Sequence, residues 1–471
     1  MSARHSPAAS QMPPAPQEGG APDRNVLTMA RKDTPTDRGR IVGVIFFILG
    51  LGTLLPWNFF LTATEYFQRR LRHEVNESAW ANGTVPLQKE YHFNNWMTLL
   101  SQLPLLLFTF LNSFLYQWIA EKVRIAGSLV FILILFALTA ALVKVPMEQD
   151  QFFSVTMATI WFINSFGAVL QGSLFGLVGI LPQRYSAVFM SGQALAGTFA
   201  ALAMLMAIAS EADRETAALG YFITPCVGTL VTLVSYLALP HLEFARFYFS
   251  AGGPKTYELE SNDELLRTEN GPTENGKPDG QARLALENGP PGPAKKSSVI
   301  QVFKKIKVMA LCVTLVFTIT LSVFPAVTAD VKTLYPGKWE AYFIPVCCFL
   351  TFNLMDWIGR SIPSVVQWPP KESRLFPALV AARLLFVPLL VLCNVQARAR
   401  LPVWFAHDAL FTAIMVLFSL SNGYCVCLSM SYAPQMVEPQ DAETAGALMT
   451  FFLALGLSLG AALSFPLRFL V

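Results

Sequence analysis

Charged residues are scarce in this chain. Aspartate, glutamate, lysine and arginine make up 14% of its 471 residues, whereas 54% of the residues are apolar. Soluble domains carry about 25% charged residues. The shortage excludes a soluble enzyme with a single membrane anchor and predicts a protein that crosses the membrane many times. The net charge of +3 is too small to indicate a particular partner, and we expect no nucleic-acid partner.

Several sequence signatures of catalysis are also missing. The chain has no HExxH zinc motif and no complete Walker motif, which argues against a metalloprotease and an ATP-driven pump. Its five histidines lie in tails or at the ends of predicted spans. Its seven cysteines lie in apolar runs, without the spacing of a disulfide framework or a zinc site. We therefore expect no enzymatic activity, no cofactor and no metal.

Long apolar runs dominate instead. A helix that spans the bilayer needs about 20 mostly apolar residues, and eleven segments meet this requirement. They lie near residues 41–64, 94–118, 124–144, 152–180, 186–209, 217–240, 305–329, 341–363, 374–394, 406–432 and 442–468. The predicted fold class is an all-α polytopic membrane protein with eleven transmembrane helices.

Two polar stretches divide the chain. Residues 1–40 contain Pro, Ser, Gln and charges without an apolar run, which predicts a disordered cytoplasmic tail and not a cleavable signal peptide. Residues 241–304 are rich in Asn, Glu, Gly and Pro and predict a disordered cytoplasmic loop. Six spans then form an N-terminal bundle at 41–240, and five form a C-terminal bundle at 305–471. Such division into two halves is common in transporters.

Basic residues set the predicted orientation. Lysines near the end of the 241–304 segment and arginines in the N-terminal tail belong in the cytoplasm by the positive-inside rule. Eleven crossings then place the C-terminus outside, together with the loop at about 65–93. That loop carries two N-glycosylation sequons, at Asn76 and Asn82. Arginines in the same loop, and in the loop between the ninth and tenth spans, run against the rule.

A pair of opposite charges lies inside the eighth predicted span. Asp356 and Arg360 are the only charged residues between positions 342 and 363. A charge at bilayer depth costs roughly 2.5–3.5 kcal/mol on insertion scales, so such residues usually face a protein interior or a watery cavity. Phe349 and Asn353 share their helix face, within a stripe roughly 60° wide. This stripe suits a flat polar ligand, although an ion pair that pins two helices together would give the same pattern.

Three other features inside predicted spans are candidate ligand contacts or gates. Gln171 in the fourth span offers two donors and an acceptor, enough for paired bonds to a nucleobase or ribose. Trp57 in the first span either stacks on a ligand ring or belongs to the interfacial aromatic belt. Phe324 and Pro325 in the seventh span predict a kink with a bulky ring beside it, which would suit a gate.

The remaining intramembrane polar residues have simpler interpretations. Asn112 and Asn422 are expected to join helices. Glu443 begins the last span, where a carboxylate favours the positive end of the helix dipole. Arg383 lies in the middle of the ninth span, where it either pairs with a carboxylate or extends its side chain to the interface.

Five motifs resemble those of one known family, the equilibrative nucleoside transporters. They lie at residues 50–60, 170–176, 352–360, 421–424 and 443–446. The motifs occur in the family's order, and the resemblance covers about 41–247 and 299–471. Residues 93–104 and 447–456 are most similar to the type 2 branch of the family, although Gly167 stands where that branch has serine.

The resemblance implies a fold related to the major facilitator superfamily in a 6+5 arrangement. It also implies a plasma-membrane protein with a cytoplasmic N-terminus and an extracellular C-terminus. The implied activity is bidirectional, Na⁺-independent transport of purine and pyrimidine nucleosides, and of nucleobases such as hypoxanthine. Nucleoside-analogue drugs and vasodilator-type inhibitors are further ligands that the resemblance implies.

The same resemblance assigns roles to single residues. It implies that Asp356 and Arg360 bind the ribose hydroxyls and that Gln171 contacts the base. The residues implied to line the cavity are Trp57, Leu54, Leu61, Leu105, Phe349, Asn353 and Leu457. The residues implied to gate it, or to lie near the gates, are Phe324, Pro325, Phe93 and Arg124.

Together these inferences predict alternating access, in which the first six spans rock against the last five around a ligand at mid-membrane. Two alternatives stay open. A proton-coupled carrier would load a proton on Asp356, although Arg360 beside it favours the ionised carboxylate. A membrane receptor would bind the same ligand and never release it on the far side.

Overall fold

The apolar runs of the sequence fold into long helices. The computed structural model describes residues 35–63, 66–67, 70–71, 93–115, 118–210, 214–251, 297–396, 398 and 400–471. The predicted glycosylation sites at Asn76 and Asn82 lie outside these residues, as do most of the N-terminal tail and most of the central polar segment. What the sequence predicts for them stays a prediction.

In its described residues, the N-terminal half contains six long helices and a short one. They are α1 (Ile41–Thr62), α2 (Phe93–Leu115), α3 (Glu121–Leu142), α4 (Gln149–Gly179), α5 (Gln183–Ser210), α6 (Arg214–Ala238) and α7 (Glu243–Ala251). The last of these lies inside the 241–304 segment that the sequence predicts to be disordered. Aromatic rings hold it in place, since Phe244 packs against Tyr185 of α5 with ring centroids 5.3 Å apart.

The C-terminal half is built from longer and shorter helices. They are α8 (Val299–Val323), α9 (Lys338–Phe343), α10 (Thr351–Ser361), α11 (Leu375–Ala382), α12 (Phe386–Val391), α13 (Asp408–Tyr432) and α14 (Ala442–Leu470). A π-helical segment, Ile344–Leu350, joins α9 to α10. A 3₁₀ turn, Arg383–Leu385, joins α11 to α12. The eighth and ninth spans are therefore composite helices.

The helices agree with the predicted spans. Nine helical segments in the described part of the chain are long and apolar enough to cross a membrane. Two shorter apolar segments, Leu99–Phe114 and Leu375–Val391, lie at the positions of the second and ninth predicted spans. Together they match the eleven predicted spans, and the predicted all-α polytopic fold class is confirmed.

Helix α8 differs from its prediction at both ends. It begins at Val299, earlier than predicted, where Ser298 and Gln301 form a capping box. It ends one residue before Phe324, whose backbone is extended (φ −105°, ψ 129°). The kink predicted at Phe324 and Pro325 is therefore wrong. Pro325 lacks an amide hydrogen and disfavours a helical conformation in the residue before it, so the helix stops there.

Each half has its own helix pairs, and several packing contacts join the halves. Within the halves, α1 packs along α5, α8 along α14, and α10 along α13. Between the halves, α14 packs against α2 and α4, and α5 packs against α10 and α13. Any rocking of one half against the other must rearrange these contacts between the halves.

Two of the arginines that run against the positive-inside rule bind the ends of helices. Arg70 Nη1 donates a hydrogen bond of 2.8 Å to the carbonyl of Val143, just after α3. Arg398 Nη2 donates bonds of 2.7 Å to the carbonyls of Val391 and Cys393 at the end of α12. Cations near a helix C-terminus satisfy its free carbonyl groups and favour its dipole. The positions of Arg70 and Arg398 are therefore explained by these contacts with helix ends and not by the orientation of the chain in the membrane.

Candidate ligand-binding site

The Asp356–Arg360 pair lies inside the C-terminal half, on α10. Arg360 Nε is 2.8 Å from Asp356 Oδ2, and the two residues are 8% and 5% exposed. Asn422 Nδ2 of α13 donates a bond of 2.6 Å to the other carboxylate oxygen, Oδ1. Each carboxylate oxygen can accept more than one hydrogen bond. The carboxylate is therefore fixed on both sides and keeps acceptor capacity for a ligand.

Close backbone packing brings Asn422 to this carboxylate. A Cβ atom added to the neighbouring Gly423 would lie 2.1 Å from the carbonyl oxygen of Asp356. Only glycine lets α13 approach α10 this closely. Asn422 also accepts a bond of 2.7 Å from Thr320 of α8, so it joins three helices. Its predicted role in joining helices was incomplete, because the sequence does not reveal that one of its partners is Asp356.

An aromatic cluster lies upstream of the pair. The Phe324 ring stacks on Phe352 with centroids 3.9 Å apart, and it meets Phe349 edge-on at 5.8 Å. Asn353 Nδ2 donates a bond of 2.9 Å to the carbonyl of Phe349. Phe349 lies in the π-helical segment, where the angle per residue assumed for the predicted stripe does not hold. Phe352 was not predicted, because it lies off that stripe.

The N-terminal half supplies other candidate residues. Gln171 of α4 is 7% exposed, and its amide forms no hydrogen bond within the described part of the chain. Trp57 of α1 is partly buried and stacks on Phe60 with centroids 5.9 Å apart. Of the remaining predicted lining residues, Leu54, Leu105 and Leu457 are partly buried, whereas Leu61 is exposed.

Two predicted gating residues lie away from the Asp–Arg pair. Phe93 begins α2 and stacks on Phe67 with centroids 5.6 Å apart, inside the N-terminal half. Arg124 lies in the first turn of α3 and is 5% exposed. Phe324 belongs to the aromatic cluster, and Pro325 next to it is exposed. The predicted gating residues therefore lie at several separate places.

Arg124 forms an ion pair that joins the two halves. Its Nη2 lies 3.0 Å from Glu443 Oε1 on α14, and its Nη1 donates a bond of 3.0 Å to Ser173 Oγ on α4. Near this pair, Ser113 Oγ of α2 donates a bond of 3.3 Å to the carbonyl of Ala447. The sequence explained Glu443 only by the helix dipole. No periodic pattern could connect residues so far apart in the chain.

A second polar contact joins α5 to α10. Trp357 Nε1 donates a bond of 3.1 Å to Ser191 Oγ. The Ser191 hydroxyl also lies 2.8 Å from the hydroxyl of Ser361. This cluster was not predictable from the sequence, because serines on helices usually bond to their own backbone and give no signal of a distant partner.

Comparisons with known proteins agree with this architecture. Residues 157–469 match the family model described as Nucleoside transporter. Human Equilibrative nucleoside transporter 2 is 57% identical over 461 residues, which cover 94% of this chain and 100% of the relative. Human Equilibrative nucleoside transporter 1 is 49% identical over 460 residues, with the same coverage of both chains.

A solved structure shows a likeness of fold. The human organic anion transporter MFSD10 (TETRAN) superposes with a TM-score of 0.54 and 17% sequence identity, covering 91% of this chain and 92% of that chain. At this identity the likeness concerns the arrangement of helices alone. The family match and the full-length relatives identify the family of the chain as well as its fold. This chain belongs to the equilibrative nucleoside transporter family.

Proposed function

We propose that this protein carries nucleosides passively and in both directions across the plasma membrane, without coupling to sodium, and that it also carries nucleobases such as hypoxanthine. The observation that carries the proposal is the buried Asp356–Arg360 pair. A carboxylate beside a guanidinium offers an acceptor and donors to ribose hydroxyls while the site stays neutral. Such a site suits an uncharged ligand that travels without a counter-ion.

The ligand is proposed to lie between the halves. Asp356 accepts bonds from the sugar hydroxyls, Arg360 donates to the sugar, and Gln171 reads the base edge. The free amide of Gln171 supports its role, since a buried amide gains most from a partner. The proposed lining of the cavity is Trp57, Leu54, Leu61, Leu105, Phe349, Asn353 and Leu457.

Alternating access is the proposed mechanism. With the N-terminus in the cytoplasm, the Ser191–Trp357 bond lies beside the ligand site, because Trp357 falls between Asp356 and Arg360 on α10, and the Arg124–Glu443 pair lies on the cytoplasmic side of that site. We infer that they close this side and break when the halves rock. The proposed gates on the opposite side involve Phe93 together with Phe324 and Pro325. Nucleoside-analogue drugs and vasodilator-type inhibitors are proposed to bind in the same cavity.

Uptake of labelled uridine and hypoxanthine into proteoliposomes tests the function. The vesicles contain only this protein and are measured with and without gradients of Na⁺ and of pH. We expect uptake to stop at equal concentrations on both sides under every gradient. Accumulation above equilibrium would assign a coupled carrier, and binding without uptake would assign a receptor.

Replacing Gln171 by leucine tests the base contact. The variant keeps the size of the side chain and removes its donors and acceptor. We expect KM to rise about fivefold for both uridine and hypoxanthine, because one neutral hydrogen bond contributes about 1 kcal/mol. Uridine and hypoxanthine both present a base to Gln171, but only uridine has a ribose. A rise for uridine alone would contradict the assignment and place Gln171 at the sugar.

Replacing Gly446 by alanine tests the closure between α4 and α14. The added Cβ atom would lie 2.2 Å from the carbonyl oxygen of Phe175, which is backbone and cannot turn away. Overpacking of this kind costs about 1–3 kcal/mol, and here it opposes the arrangement closed to the cytoplasm. We expect the uridine uptake rate to fall at least about fivefold at equal protein content.

Gly127 provides the matched control for this substitution. It lies on α3, one turn from Arg124, and a Cβ atom there would meet nothing within 4 Å. Alanine also favours a helix more than glycine does. Gly127→Ala should therefore transport at the wild-type rate. Equal losses in the two variants would show that the effect is not caused by contact between the halves.

A further inference from the structure

Arg383 is the largest fully buried side chain in the described part of the chain, with 2% exposure. It lies in the 3₁₀ turn between α11 and α12. Its Nη1 donates a bond of 3.1 Å to the carbonyl of Val316 on α8, and its Nη2 donates a bond of 3.2 Å to the carbonyl of Phe418 on α13. The guanidinium also lies 5.2 Å from the centre of the Phe418 ring. It is therefore held firmly between two helices.

A chain of hydrogen bonds connects Arg383 to the ligand site. Arg383 Nη2 donates to Thr320 Oγ1 at 3.1 Å. Thr320 Oγ1 donates to Asn422 Oδ1 at 2.7 Å, and Asn422 Nδ2 donates to Asp356 Oδ1 at 2.6 Å. All four residues are buried. We refer to Arg383, Thr320, Asn422 and Asp356 as the relay.

The donor and acceptor groups of the side chains determine the direction of each hydrogen bond in the relay. A guanidinium has only donors, so the Thr320 oxygen must accept from Arg383. The single hydroxyl hydrogen of Thr320 can go to Asn422 or to the carbonyl of Val316, 2.9 Å away. The Val316 carbonyl already accepts a bond from Arg383 and, within the helix, one from the amide of residue 320. Since these use both of its lone pairs, the hydrogen is directed to Asn422.

The orientation of the Asn422 amide follows. With Oδ1 accepting from Thr320, the amide presents its NH₂ group to Asp356. The flipped amide would place its oxygen against the carboxylate, where two acceptors repel each other. Without Arg383, the Thr320 hydrogen could return to the Val316 carbonyl and leave the amide free to flip. Buried networks of this kind act as a unit.

We propose that Arg383 is a positioning residue for the ligand site. Acting through Thr320 and Asn422, it fixes one oxygen of the Asp356 carboxylate so that the other faces Arg360 and the ligand. Arg383 thereby stabilises, through the relay, the Asp356 carboxylate that Arg360 contacts directly. The inference rests on the proposed function, in which Asp356 accepts bonds from ribose hydroxyls.

The deciding variant is Thr320→Val, which keeps the shape of the side chain and removes its hydroxyl. The probes are uridine and 2′,3′-dideoxyuridine, which lacks the two hydroxyls that would reach Asp356. We expect KM for uridine to rise about tenfold, since hydrogen bonds to charged groups contribute about 1.5–3 kcal/mol. KM for dideoxyuridine and the maximal rate at equal protein content should stay at the wild-type values.

Two further substitutions control for a general loss of packing. Thr320→Ser restores the hydroxyl and should restore the uridine KM. Thr314→Val removes a hydroxyl from the same helix that bonds only to the carbonyls of Ala310 and Phe452. It should behave as the wild type with both probes.

A double substitution tests whether Arg383 acts through Thr320. Arg383→Lys keeps the charge but loses the forked donors, and it should raise the uridine KM selectively. Combined with Thr320→Val, it should add nothing, because both changes interrupt one relay. Additive effects would show that Arg383 acts by another route and would overturn the proposal.

The outcomes separate this inference from the proposed function. An unchanged uridine KM in Thr320→Val, in a protein that transports uridine, overturns the relay and leaves the proposed function intact. Equal KM increases for both probes assign a general structural role and also overturn the relay. A wild-type protein that takes up neither probe overturns the proposed function and the relay with it.

Discussion

Replacing Asp356 by alanine is expected to reduce uridine uptake by about a hundredfold or more. The substitution leaves the Arg360 guanidinium buried without the carboxylate that lies 2.8 Å from it. Removing one partner of a buried pair costs about 3–5 kcal/mol, and it also removes the proposed acceptor for the sugar hydroxyls. The measurement is the initial rate of uridine uptake into proteoliposomes with matched amounts of protein.

An exposed ion pair supplies the control. Asp330 lies 2.8 Å from Arg468, but its side chain is 46% exposed. Exposed ion pairs contribute about 0–1 kcal/mol because water and salt screen them. Asp330→Ala should therefore transport uridine almost as the wild type does. Normal transport by Asp356→Ala would remove the basis for the ribose site, whatever the control shows.

The chemistry of the site was predictable where it is local in sequence. Asp356 and Arg360 lie four positions apart, so helical geometry alone places them side by side. The eleven spans were predictable for a similar reason, since the bilayer requires long apolar runs. The family motifs indicated the same assignment, which the comparisons confirm.

Contacts between distant segments were not predictable in the same way. Nothing in the sequence pairs Arg124 with Glu443, because each residue has a satisfactory local explanation. For Arg383, neither of the two interpretations that the sequence offered is correct. Neither a carboxylate partner nor extension to the interface describes its surroundings, which consist of backbone carbonyls, hydroxyls and an aromatic ring. Three helices must pack before such a set of acceptors exists.

Local backbone geometry accounts for the other differences. Proline in the seventh span suggested a kink, but the helix ends before Phe324. The π-helical segment Ile344–Leu350 alters the helical period just upstream of Asp356. Single insertions of this type depend on how neighbouring helices pack, and they often lie at functional sites. A helical period taken from the sequence assumes the same angle for every residue and therefore misses such insertions.

Replacing Glu443 by alanine is expected to lower uridine uptake about tenfold and to open the side that is proposed to face the cytoplasm. The change leaves Arg124, which is 5% exposed, without the carboxylate that lies 3.0 Å away on the other half. Loss of a buried partner costs a few kcal/mol, and each 1.4 kcal/mol shifts a two-state population about tenfold. This free-energy cost destabilises the state in which the two halves are in contact at this end.

A cysteine introduced at Ser113 reports this opening. Ser113 is buried where α2 meets Ala447 of α14, so a thiol there should react slowly in the closed arrangement. We expect Glu443→Ala to speed its reaction with a water-soluble thiol reagent, measured against the same protein without Ser113→Cys. Glu438→Ala, which removes an exposed carboxylate shortly before α14, should change neither uptake nor labelling.

Combining Arg124→Ala with Glu443→Ala distinguishes a gate from a ligand contact. If the two residues act only on each other across the interface, the double variant should be no worse than Glu443→Ala alone, because the guanidinium that lost its carboxylate is removed as well. Slower uptake with unchanged labelling would instead place Glu443 in ligand binding. Closure at this end would then depend on other bonds between the halves, such as that from Ser113 to the carbonyl of Ala447 and that between Trp357 and Ser191.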